Sequence, residues 1–296
     1  MPERRFTRNE LTERAGRMGL SGSGRYIDDW VRQGLLAPPQ APGRGRSLGG
    51  RERGTWGEEQ FEIFQEIVAS RVARVPIPVL CNIPVYVWLL RGEIAVPLVE
   101  VRRAMATWAK RGRRSRWRAA KDTGRDVVAE LEHPMARPAD KKLLEELIAL
   151  SAFRGKLDPE ALLAAQRVFD PGGEGRWRGP SGMELTAEDY VRWAGSQLEI
   201  RRLLSDPDQE RLIPDEHFWS ARLALGAGLV GYARLQPSRV REPGAAHFFP
   251  TPTEENVKFM ACLALSMTLG FALQAARGPL PGFAELVSRG ESLLQR

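Results

Sequence analysis

Cysteine and histidine are both scarce in this chain. Two cysteines in 296 residues, Cys81 and Cys262, stand far apart among apolar neighbours. That excludes a disulfide framework and leaves each thiol as a small apolar side chain of the core. The three histidines, His133, His217 and His247, are scattered with no metal-ligand spacing, so no metal site is expected. MPERRFTRNELTERAG holds no apolar signal segment, so export by that route is not expected. One uncharged run, FMACLALSMTLGFALQAA at 259–276, reaches the lower length of a membrane span. Ser266, Thr268 and Gln274 interrupt it and alanine supplies much of its bulk. It reads as a helix buried on all sides, and no membrane partner is expected.

Catalytic signatures are missing too. GGEGRWRG at 172–179 lacks the Lys-Ser/Thr ending of a phosphate loop and follows no strand. No nucleophile-elbow pattern occurs. The acidic pairs Glu58-Glu59, Glu145-Glu146 and Glu254-Glu255 fall at helix starts or on polar faces. Glu216-His217 reads as a polar pair at a helix start. No catalytic residue and no cofactor are assigned, and the chain is not expected to be an enzyme.

What the chain has is positive charge, unevenly spread. Lys and Arg number 44 against 37 acidic residues, for a net +7 and a pI near 9.8. Residues 1–75 carry +3, 76–101 carry −1, 102–125 carry +9 and 126–296 carry −4. An excess of this sign points to a polyanionic partner without bearing on the fold.

Helical spacing dominates the pattern. DKKLLEELIALSAF at 140–153 places Leu143, Leu147, Ile148 and Leu150 on one face. Asp158 before Pro159 marks a helix start running to about Phe169. Thr186 caps the next helix, one follows near 215–236, Thr253 caps the long apolar one, and 281–295 is the last. DPGGEGRWRGPSG at 170–182 is a Gly/Pro loop. Pro76 and Pro78 suggest a boundary. The expected architecture is mainly α in three parts. An N-terminal domain over 1–75 leads to a basic helical connector over 76–130, then an all-α domain over 131–296.

The front of the chain carries the most specific pattern. Thr7 and Glu10 form a capping box, with Phe6 and Leu11 placed as a hydrophobic staple. A turn, GRMGLSGSG, follows, with Ser21 or Ser23 able to cap the second helix, RYIDDWVRQGLL. Ile27, Trp30 and Val31 share a face there, and Gly34 suits a left-handed residue after the last turn. Two short helices joined this way fit a helix-turn-helix. APPQAPGRGRSLGGRERGTW then gives an arm too polar for a core, able to form a two-stranded wing. A third helix, GEEQFEIFQEIVASRV, buries Phe61, Phe64, Ile67 and Val68.

This order resembles the MerR-type winged helix-turn-helix domain over residues 5–75, about a quarter of the chain. The matching points are Gly34-Leu35-Leu36-Ala37-Pro38, the Arg/Gly arm, Trp56, and the acidic helix start Glu58-Glu59. The resemblance implies double-stranded DNA as partner. Arg44, Arg46, Arg51 and Arg53 of the wing would meet phosphates or a minor groove, and Arg25, Tyr26 and Arg32 of the second helix would face a major groove. There are departures. The family's usual arginine in the second helix falls on Asp28, the wing is longer, and Pro76 and Pro78 interrupt the chain where the family continues into a dimerising coiled coil. The family's dimer is therefore not carried over.

The central run VRRAMATWAKRGRRSRWRAAKDTGR adds Arg111, Arg113, Arg114 and Arg116 as candidate phosphate contacts. Its alternative is a solvated helix face. Trp108 and Trp117 either stack on bases or turn into the core. Together these features lead to a cytoplasmic, sequence-specific DNA-binding protein, a bacterial-type transcriptional regulator acting as a homodimer. Its helical C-terminal part would bind a small-molecule effector or a protein partner. The competing reading is an accessory or architectural component of a mobile-element or nucleoprotein assembly, with weakly specific DNA or protein binding.

Overall fold

Helix starts are written locally in this chain, and the first shows how. The Thr7 hydroxyl accepts from the Glu10 amide at 3.3 Å, while a Glu10 carboxylate oxygen accepts from the Thr7 amide at 2.6 Å. Two donors that the first turn leaves without partners are thereby satisfied, and α1 runs over Arg8–Arg17. A computed structural model of the chain describes residues 4–40, 54–112, 117–154, 157–171, 177–178, 184–185, 187–239, 251–278, 280 and 282–295. Among these residues the protein is mainly helical, and no strand exceeds two residues.

The chain divides into two units, Met1–Arg111 with Val257–Cys262, and Gly112–Asn256 with Leu263–Arg296. In the first unit α1 is followed by α2 (Ser23–Arg32) and α3 (Glu58–Val72). Neither Ser21 nor Ser23 caps α2. Its N-cap is Gly22, at φ 70°, with no side-chain hydrogen bond, a backbone conformation that glycine adopts without steric cost. Leu11, Ala15, Ile27, Trp30, Phe64, Ile67 and Val68 are buried together with Phe6. The Phe6 ring stacks on Phe61 at 3.8 Å between centroids.

The expected break at Pro76 does not end this unit. After α4 (Ile77–Leu80) and α5 (Asn82–Arg91), α6 (Leu98–Gly112) lies against the end of α2. Gly34, at φ 73°, comes so close that a Cβ on it would meet the Ala104 nitrogen at 2.4 Å and the Glu100 carbonyl oxygen at 2.7 Å. The Thr107 hydroxyl donates to the Gln33 carbonyl at 2.9 Å. Gln60 of α3 accepts from the Ala37 amide and donates to the Ala95 carbonyl, at 2.9 and 2.7 Å. The prolines sit at a helix start, where proline removes no needed bond, and the chain turns back. Cys81 and Cys262 are buried and not disulfide-bonded. Burial first, and then the neighbouring Cys81, push the Cys262 thiol well above its ordinary pKa. Among the described residues one run, Ile77–Ile94, is long and apolar enough to cross a membrane by length and composition, and half of it is buried.

In the second unit, α7 (Trp117–Leu131), α8 (Pro138–Arg154) and α9 (Pro159–Phe169) enclose a core of Val128, Leu144, Leu147, Ala161, Ala165 and Val168. Asp158 caps α9 through its side chain, with Pro159 first in the helix. The buried stripe of α8 is Leu144, Leu147 and Ser151, whereas Leu143 is exposed. Leu143, Leu144 and Leu147 all satisfy helical spacing, and only the position of α7 and α9 selects among them. Trp177–Arg178, inside the expected 170–182 loop, pairs antiparallel with Glu184–Leu185 just beyond it. Next come α10 (Ala187–Leu204) and α11 (Gln209–Leu212). Thr186 lies outside the described residues.

The last elements are α12 (Asp215–Arg239), α13 (Glu254–Phe259), α14 (Ala261–Arg277) and α15 (Phe283–Leu294). Thr253 caps α13, where its hydroxyl accepts from the Asn256 amide at 3.3 Å, and the chain breaks at Met260 before α14 begins. The uncharged 259–276 run is thus a helix end and a new helix, and Leu265, Ser266, Leu269 and Ala272 are buried. Gly290 of α15 meets the backbone of α12, its virtual Cβ lying 2.2 Å from the Leu223 oxygen.

Candidate nucleic-acid interface

The exposed side of α2 follows from its buried side. With Ile27 and Trp30 each 1% exposed, helical periodicity turns Arg25, Tyr26, Asp28 and Arg32 outward. All four are exposed. Tyr26 stacks alongside Trp30 with centroids 6.2 Å apart, so its phenol extends from a ring fixed on the core.

The two carboxylates on this helix are each held by an arginine. Arg8, the first residue of α1, donates from Nη2 to Asp28 Oδ2 and to the Gly24 carbonyl, both at 2.6 Å. Arg32 is ion-paired with Asp29 one turn back. Each carboxylate of α2 is therefore matched by an arginine, and Arg25 adds a further positive charge to the same face.

Next to this face, three chain segments meet in backbone pairs. Gln40 and Thr55 form an antiparallel bridge with two hydrogen bonds of 2.9 Å, and Phe6 and Trp56 form another with the same lengths. The Arg5 guanidinium donates to the Gln40 side chain at 2.8 Å. Trp56 is buried and its indole donates to the Ala37 carbonyl at 2.8 Å. A cleft of about 570 Å³ opens here, lined by Arg8, Asp28, Val31, Arg32, Pro39 and Trp56.

Of the residues assigned from the sequence, the structure brings Arg25, Tyr26 and Arg32 to one helix face. Arg44, Arg46, Arg51, Arg53, Arg113, Arg114 and Arg116 lie outside the described residues. Arg111 falls in α6, near its end. The central basic run is divided between α6 and α7. Trp117 is 40% exposed, packs edge-on against Phe153 at 5.7 Å, and has the Lys121 ammonium 5.1 Å from its ring centroid.

Arg8 is the site residue that sequence reasoning missed. It sits 20 residues from Asp28, and no helical spacing rule links positions on two different helices. Among the described residues no cluster of three or more His, Cys, Asp or Glu is placed to hold a metal ion. His217 is half-buried, and burial lowers its pKa despite the adjacent Glu216. Compared with protein-family models, curated proteins and solved structures, the chain matches none.

Proposed function

We propose that the chain is a sequence-specific double-stranded DNA-binding protein of the bacterial transcription-regulator kind, with residues 5–75 acting as a MerR-type winged helix-turn-helix. The observation that carries this reading is the Gln40–Thr55 pair. It ties together the two ends of the segment bearing Arg44, Arg46, Arg51 and Arg53, beside the exposed face of α2. In this reading α2 enters a major groove, with Arg25, Tyr26 and Arg32 at its surface, and the arm's arginines hold the phosphate backbone. Arg111, Arg113, Arg114 and Arg116 add phosphate contacts that strengthen binding at low salt.

The α1–α2 connection supports the same reading. Five residues, 18–22, join the two helices, and glycines at positive φ, Gly19 at 93° and Gly22 at 70°, make the tight turn. In this proposal the protein works in the cytoplasm as a two-fold dimer on paired half-sites. The helical second unit takes an effector or a protein partner.

The test is fluorescence anisotropy of the full chain against two labelled duplexes across salt. One duplex is taken from upstream of its own coding sequence and one is scrambled. Each titration is repeated with the four arm arginines changed to alanine. The proposal expects tighter binding to the upstream duplex. It also expects the salt slope of the variant to be shallower by roughly 0.9 for each phosphate it no longer neutralises. Equal, salt-sensitive binding to both duplexes would favour the architectural role in a nucleoprotein assembly. No binding at low salt would overturn DNA recognition by this protein.

A further inference from the structure

Asp28 stands where a phosphate-contacting cation is expected on a groove-facing helix. Its carboxylate is nevertheless well suited to contact DNA. Arg8 binds Oδ2 at 2.6 Å and is itself fixed to the Gly24 carbonyl at 2.6 Å. The guanidinium is thus anchored to the first turn of α2 and to the side chain one turn on. The negative charge is compensated in place, so approach to a polyanion carries little repulsion. The Asp28 side chain remains 56% exposed, and among the described residues nothing is bonded to Oδ1. Asp28 stands between Arg25 and Arg32 along the exposed face of α2, and its bond to Arg8 sets the orientation of the carboxylate.

We propose that Asp28 is a specificity-determining residue. Its Oδ1 accepts a hydrogen bond from the N4 amino group of a cytosine in the major groove, and Arg8 acts as the positioning residue. The proposal rests on the DNA-binding reading given above. The chemistry is selective because cytosine presents only a donor at that edge. Thymine presents the O4 acceptor and guanine presents N7 and O6 acceptors, each of which repels a carboxylate. The ion pair with Arg8 explains how an aspartate is accommodated there. The fixed oxygen explains how it discriminates.

The test is selection from a pool of duplexes with a randomised central region, using the full chain as wild type, Asp28→Ala and Asp28→Asn. Anisotropy on the selected duplexes follows. Asp28 is exposed, and matching thermal transitions establish that the variants fold. The wild-type consensus is expected to contain a fixed cytosine. Replacing it with thymine should weaken wild-type binding roughly five- to tenfold and Asp28→Ala binding less than twofold. Asp28→Asn should move the preference at that position from cytosine to adenine, since an amide both accepts from adenine N6 and donates to N7. Arg8→Ala should lower affinity overall, because it exposes an uncompensated carboxylate, and should also shrink the wild-type preference for cytosine over thymine, because it frees the carboxylate that Arg8 orients.

Identical consensus sequences from wild type and both Asp28 variants would overturn the assignment while DNA binding stood. Wild-type binding to all duplexes without enrichment would also overturn it. Absence of binding to every duplex would instead remove the DNA-binding reading itself, and this inference with it.

Discussion

The side-chain oxygen of Asn82 accepts a hydrogen bond from the backbone N–H of Cys262 at 2.8 Å, across 180 residues of chain. Cys262 is the second residue of α14, and the first turn of a helix has N–H groups without intrahelical partners. Met260, just before this helix, has a thioether and no strong acceptor. Asn82, only 7% exposed, caps the helix from another element. Its own amide is oriented by donation to the Val79 carbonyl at 3.0 Å. Asn82→Ala leaves a buried amide without a partner, so a loss of about 1–3 kcal/mol is expected. Urea unfolding measures it. An unchanged midpoint would show that water replaces the bond.

Gly34 bears on both the backbone and the packing of the first unit. Its φ of 73° disfavours any residue with a Cβ, and that Cβ would stand 2.4 Å from the Ala104 nitrogen. Gly34→Ala is expected to cost about 2–4 kcal/mol from the left-handed backbone and overpacking together. Gly226 offers the control, since nothing lies within 4 Å of its virtual Cβ and its φ is ordinary. Gly226→Ala in α12 is expected to stabilise by roughly 0.5–1 kcal/mol. Chemical denaturation of both variants checks the contrast.

Glu100 has a side chain only 1% exposed and paired with Arg103 at 2.7 Å. Burial raises its pKa above the usual 4.5, against the opposing pull of Arg103. A raised folded-state value means that the folded chain binds the proton more tightly. The stability this gives is complete below 4.5 and is lost as pH rises through the raised value. Glu100→Gln should therefore gain on wild type as pH increases from 4.5 to 7.5. Denaturant midpoints at the two ends of that window give the comparison. A difference that did not vary with pH would contradict it.

Glu199 has the opposite sign. Arg277 grips it through two hydrogen bonds of 2.7 and 2.8 Å, joining α10 to α14. The side-chain bond to Arg277 lowers the Glu199 pKa below its usual 4.5, outweighing partial burial. The contribution is present above 4.5 and disappears as pH falls through the lowered value. Arg277 is 58% exposed, so solvent screening limits the pair to about 0.5–1 kcal/mol. Glu199→Gln should lose that amount at pH 7, and its difference from wild type should shrink as pH falls below 4.5. Thermal melts at pH 7 and pH 3 test the prediction.

The sequence by itself determined what depends on neighbours a few residues apart. Thr7 with Glu10, and Asp158 with Pro159, specify helix starts through bonds closed within one turn, and both formed as read. Ile27 and Trp30 set the buried side of α2, which in turn sets its exposed side, because a helix has a fixed period. Gly34 after the last turn was legible for the same reason.

Only the tertiary structure decided which distant groups meet. Leu143 and Leu144 are equally consistent with a helical stripe, and packing against α7 and α9 chose Leu144. Pro76 looked like a boundary because proline breaks local structure, yet α6 returned to Gly34 and Gln33, an approach no local rule encodes. Asn82 found Cys262, and Arg8 found Asp28, through the fold of the backbone between them. Local propensity fixes dihedral angles over one or two turns. The partner of a buried or charged group is fixed by where the rest of the chain comes to lie.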